Sequence, residues 1–161
     1  MDSNHSARIR QKRANLPCYL AELENLLGRE VAEGEIEPVE LAIAMRQQAA
    51  ELGDDPRRDF EISFDQLREP RFGAYVRELD RLLTSDVLIW TPRTIFCGPM
   101  KIASLGDVHW NFDFGVNSEG ILSFSASDLS ERLTLDFSAD TSGSRIVRIE
   151  AIGKKWHAVA Y

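Results

Sequence analysis

Apolar positions recur with the 3.6-residue period of a helix in the first half of the chain and with the two-residue period of a strand in the second. Leu16, Leu20, Leu23 and Leu27, flanked by Tyr19 and Leu26, form one stripe. They predict a first helix from about residue 16. Pro17 would sit in its first turn, where a missing N–H costs nothing, and Gly28 would cap its end. Leu41, Met45, Ala49 and Leu52 predict a second helix from Pro38 to about Leu52, stopped by Gly53. Ser63 with Gln66 fits a capping box for a short helical turn that Pro70 interrupts. Phe72, Tyr75, Val76, Leu79, Leu82 and Leu83 then form the most regular helical stripe, over about 71–83.

From Asp86 onward the period shortens. DVLIWT reads as a strand closed by Pro92, and TIFCGPMKIASL as two short strands about a Gly98–Pro99 turn. In DVHWNFDFG the apolar Val108, Trp110, Phe112 and Phe114 alternate with Asp107, His109, Asn111 and Asp113, which predicts a strand with one polar face. ILSFSAS, RLTLDFS and RIVRIEAI alternate in the same way, and KWHAVAY closes the chain after Gly153. Short strands and short turns imply an antiparallel meander of about five to seven strands with one wet face. The expected architecture is α+β: an N-terminal three-helix part (about 16–84) packed on a C-terminal antiparallel sheet (about 86–161), with 15–161 forming a single domain. Residues 1–14 lack a period and read as a mobile basic tail, and DDPRRDFEISFDQ reads as a polar connection.

A chain of 161 residues is long enough to bury a substantial core as one domain. No run is apolar enough to span a bilayer, and the basic N-terminus lacks the apolar stretch of a secretory signal, so neither a membrane partner nor export is expected. Cys18 and Cys97 belong to no CxxC pair. Both read as buried free thiols, which fits a reducing cytoplasm.

Charge divides the chain more sharply than composition does. Residues 1–15 carry a net of +3, residues 16–85 a net of −8 and residues 86–161 a net of −2, for −7 in all. Such an acidic chain repels nucleic acid and anionic membrane surfaces. Two acidic stretches flank the second helix. Glu37 and Glu40 lie at its start, where the helix dipole favours negative charge, but Glu33 and Glu35 lack that local reason. Asp54, Asp55, Asp59 and Glu61 follow its end. These acids, with Glu37 and with Trp156 as a partly exposed aromatic anchor, are the expected contacts of a basic protein partner.

The chain has no P-loop, GxGxxG, GxSxG or HExxH motif, so no catalytic residue, metal or cofactor is assigned. The alternative site is the polar face of the 107–113 segment, where Asp107, His109, Asn111 and Asp113 would supply an enzyme or ligand-binding surface. One straight strand spaces such groups about 7 Å apart and does not draw them toward one metal ion.

The small size, the acidity, the stretches EGEIEPVE and DDPRRDFE and the plain sheet behind them resemble, by type, the bacterial immunity proteins of contact-dependent growth inhibition systems. Those proteins are small, acidic, cytoplasmic and often α+β. The resemblance implies a protein that neutralises a basic toxin domain, a nuclease above all, by direct stoichiometric contact. It assigns no residue roles.

Overall fold

In the computed structural model, which describes residues 3–161, the chain is an α+β fold with four helices and a six-stranded antiparallel sheet. The helices are α1 (Ser3–Leu27), α2 (Val39–Glu51), α3 (Pro70–Arg81) and the single turn α4 (Thr94–Cys97). The strands are β1 (Arg57–Ser63), β2 (Val87–Trp90), β3 (Met100–Ile102), β4 (Ile121–Ala126), β5 (Glu131–Ala139) and β6 (Arg145–Gly153). They are ordered β1-β6-β5-β4-β2-β3. The expected meander runs through β4, β5 and β6. The β2–β3 hairpin extends it on one side and β1, from the helical half, on the other.

The sheet's inner face forms the main core. Phe124, Leu133, Leu135, Val147, Ile149 and Ala151 alternate inward and are fully buried. Against them pack Tyr19, Leu23 and Leu26 of α1 and Phe72, Tyr75, Val76 and Leu79 of α3, the stripes read from the sequence. Gly28 ends α1 at φ +63, in the left-handed region a C-cap glycine uses. Ser63 donates its N–H to Gln66 Oε1 (2.8 Å), one half of the expected capping box, at the start of a 3₁₀ turn over Phe64–Arg68. Pro70 then opens α3.

Several local expectations are corrected. Residues 3–14 of the expected tail form the first half of α1, and its first two residues lie outside the described ones. This half-helix is largely exposed, so it has no apolar period to detect, but Ala7, Arg8, Gln11, Lys12 and Ala14 are good helix formers. Pro17 consequently lies inside the helix, and Cys18 is exposed, while Cys97 is buried. DDPRRDFEISFDQ contains the edge strand β1, and the segment before Gly98 is α4 rather than a strand. The 107–113 segment is not a strand, and the last strand expected in KWHAVAY is a 3₁₀ turn over Trp156–Ala158.

The sheet's outer face is not uniformly wet. Met45 of α2 packs with Leu88 and Leu129 in a second cluster, bordered by Leu41, Ala49 and Trp90. α2 thus covers the β2–β4 end of this face. Beyond it the outer face is open, with exposed Ile121, Asp136, Arg148 and Glu61 in one cross-strand row.

Candidate functional site

The 107–113 segment alternates as the sequence suggested: Val108 and Phe112 are buried, while Asp107, His109, Asn111 and Asp113 are exposed. What it lacks is a neighbouring strand. The His109 N–H donates to the Leu26 carbonyl (2.7 Å) and the Asp113 N–H to Asn25 Oδ1 (3.1 Å), so α1 satisfies amides that a ladder would otherwise take. Asp107 folds back to accept the Ala103 and Ser104 N–H groups (3.1 and 3.2 Å). The His109 ring lies against Gly28, where an added Cβ would come within 2.8 Å of Nδ1. The segment is therefore held by α1 and by a local turn rather than by a strand ladder. Among the described residues no cluster of three or more His, Cys, Asp or Glu side chains is arranged to hold a metal ion.

Trp156 is corrected from exposed anchor to core residue. It is fully buried, its indole N–H donates to the Leu79 carbonyl (3.0 Å), and its backbone N–H donates to buried Glu131 (2.8 Å). Burial also pushes the Cys97 thiol up to about 11, which leaves it an inert core group rather than a nucleophile.

The acidic candidates separate into two groups. Glu33, Glu35 and Glu37 each hold one local cation: Lys12 at 3.2 Å, Arg29 at 2.9 Å and Lys101 at 3.2 Å. The Ala32 N–H and then the Arg29 guanidinium hold the Glu35 carboxyl below its usual range. The N–H of Glu37 donates to Pro99, and Ile36 bridges to Met100, so this group borders the β3 edge of the sheet. Asp59 and Glu61 are on β1, at the other edge. Five interstrand steps of about 4.8 Å put the two edges about 24 Å apart.

The β1 group is the richer of the two. Asp59 and Glu61 point to the outer face, and their partners on β6 are Glu150 and Arg148; Asp136 of β5 lies beyond Arg148. Asp54 and Asp55 precede the strand on the link from α2. Asp59 and Glu150 stand directly opposite, an unfavourable like-charge pair. Diagonal ion pairs relieve it, Arg148 to Asp59 at 3.0 Å and Arg57 to Glu150 at 3.6 Å. Arg132 pairs with Asp55 at 3.3 Å. The three arginines on this face, Arg57, Arg132 and Arg148, are thereby engaged, and Asp54, Glu61 and Asp136 are left without a cation in ion-pairing range among the described residues. Ile121, directly opposite Asp136 and 41% exposed, adds an apolar spot. The alternation of RLTLDFS already placed Asp136 on the wet face. The contribution of Glu150 and Ile121 depends on strand register, which has no local signature in the sequence.

The fold and this surface define an α+β domain whose open sheet face carries uncompensated acid. No family model, no curated protein and no solved structure matches the chain.

Proposed function

We infer that this chain is an acidic binding protein that neutralises a basic protein partner through the open half of the sheet's outer face, as an immunity protein does to its toxin. The observation that carries this reading is the surplus of carboxylate there: Asp54, Glu61 and Asp136 lack a cation among the described residues, and exposed Ile121 stands opposite Asp136. A basic partner would complete these charges, and complementary charge speeds encounter. Removing Ile121 from water at the β4 end of such a contact would add apolar burial to it. The partner suited to this surface is a toxin domain that presents cations, a nuclease above all, since a nuclease binds phosphate through positive charge. Nucleic acid itself is not a partner, because the surface repels phosphate. Two free cysteines, one buried and one exposed, suit a reducing cytoplasm. No described helix is long and apolar enough to cross a membrane.

The test is stoichiometric inhibition. Purified protein is titrated against toxin domains encoded beside its gene, with activity and calorimetric binding as readouts. One of them should be neutralised at a one-to-one ratio, and Glu61→Lys with Asp136→Lys should weaken binding at least tenfold while the melting temperature holds. Failure to bind any of them overturns the reading. Unchanged binding by the double variant overturns the assignment of this face.

A further inference from the structure

Where α2 crosses the outer face it does not close fully on the sheet. A cavity of about 420 Å³ remains between the Met45–Ala49 side of the helix and the strands beneath it. This volume lies within the range of sites for small organic ligands. Its walls are mainly apolar: Met45 and Ala49 from α2, Trp90 from β2, Leu129 from the β4–β5 turn and Ile152 from β6. The floor carries hydroxyls. Ser123 and Thr134, cross-strand partners on β4 and β5, lie 3.1 Å apart through their side-chain oxygens, and Ser125 accepts the Trp90 indole N–H at 2.7 Å.

The charge of this cavity is opposite to that of the molecule. The chain carries 26 acidic residues against 19 basic ones, yet no carboxylate lines the wall among the described residues, and two arginines do. Arg46, exposed on α2, makes no ion pair among them. Arg132 is held at 3.3 Å by Asp55, which does not itself line the cavity. In an acidic protein a site of this composition selects for negative charge at its mouth and apolar bulk within. The sulfur of Met45 and the indole of Trp90 favour an aromatic body.

We propose that the cavity between α2 and the sheet binds a small amphipathic anion, an aromatic ring system bearing one carboxylate. The ring lies between Met45, Ala49 and Trp90, and the carboxylate is taken by Arg46 and Arg132. The site lies beside the docking face, which occupies the half of the sheet that α2 leaves open, and the Arg132–Asp55 pair joins the two. Because Asp55 competes for Arg132, the affinity is set partly by a carboxylate outside the cavity.

The probes are 1-naphthaleneacetate, its neutral amide and 1-naphthylmethylammonium, titrated by calorimetry and by NMR of the Trp90 indole N–H, assigned through Trp90→Phe. The acetate should bind and shift that resonance, the amide should bind more weakly and the ammonium not at all. Arg46→Gln should weaken the acetate about threefold, and Asp55→Asn should strengthen it by a similar factor, since it frees Arg132. Ala49→Phe, which fills the cavity, should abolish binding. Arg46→Gln lies on the exposed helix surface and keeps the test valid if the larger ring unfolds α2. Equal binding of acetate and amide, or an Asp55→Asn variant no tighter than the parent, overturns the anion assignment. No binding of the acetate at millimolar concentration, or binding unaffected by Ala49→Phe in a folded variant, overturns the site.

Discussion

Gly98→Ala is the perturbation whose cost can be worked most directly from the structure. Gly98 ends α4 at φ 98°, ψ 158°, a region of backbone space that residues with a Cβ rarely enter. A Cβ added there would collide with the Glu37 carbonyl oxygen and crowd the Pro38 carbonyl carbon at 3.1 Å. Both are backbone, so neither can swing away. The strain is about 1–3 kcal/mol. Relief requires the 37–38 segment to back off, which breaks the hydrogen bond from the Glu37 N–H to the Pro99 carbonyl (2.9 Å), at about 1 kcal/mol more. The Gly98 carbonyl also accepts the hydroxyl of fully buried Tyr19 (2.8 Å), so movement of the turn disturbs α1 as well. The sum is about 2–4 kcal/mol. For a domain of this length that lowers the melting temperature by roughly 5–15 °C. Thermal unfolding followed by circular dichroism and urea unfolding at constant m-value measure it. Gly53→Ala is the control: nothing lies within 4 Å of its added Cβ and its φ is not positive, so that variant should melt at or slightly above the parent. A Gly98→Ala protein that melts with the Gly53→Ala control would refute the steric argument.

Glu131→Ala should cost about 2–4 kcal/mol in urea unfolding, because the buried carboxylate accepts the N–H groups of Lys155 (3.1 Å) and Trp156 (2.8 Å), and both would lose their partner. Glu150→Ala, which removes only a half-exposed ion pair with Arg57, should cost under about 1 kcal/mol; similar losses for the two would contradict the capping role of Glu131. Asp128 and Asp140 hold the turns before and after β5, and both have carboxyl pKa values below the ordinary 3.8, held down chiefly by the side chains of Ser130 and Ser142 respectively. A depressed folded-state pKa contributes stability above the unfolded value and loses it as pH falls through the folded one. The melting temperature should therefore drop as pH falls from 4 toward 2, and Asp128→Asn with Asp140→Asn should flatten that drop; an equally steep profile in the double variant would show that other groups drive the acid loss.

The helical stripes of α1 and α3 and the alternation in β4, β5 and β6 were legible because each element buries one face, and one buried face imposes its period on the local sequence. Edge strand β1 was not. Its exposed residues are mostly charged, and its ladder partners on β6 lie about ninety positions away, so nothing local announces the pairing. The 107–113 segment makes the complementary point. Burial alternates there as the sequence pattern predicts, but alternation reports only which side chains face the core. A strand also needs a neighbour to accept its amides, and here α1 accepts them. Burial on both faces of VLIW, which appears in the sequence as a continuous apolar run, was the available signal that α2 covers part of the outer face.

By itself the sequence determined the fold class, the helical and strand halves, the Gly28 and Gly98 turns and the acidic character of the chain. These follow from side-chain polarity, backbone freedom and charge, all local properties. The tertiary structure decided which acids remain uncompensated. It gave Glu33, Glu35 and Glu37 one cation each, left Asp54, Glu61 and Asp136 without one among the described residues, and set Ile121 opposite Asp136. It also buried Trp156 and formed a cavity lined by arginine under α2 in an acidic protein. Ion pairing and cavity shape depend on distances between residues far apart in sequence, and only the register of the sheet and the placement of α2 on it set those distances.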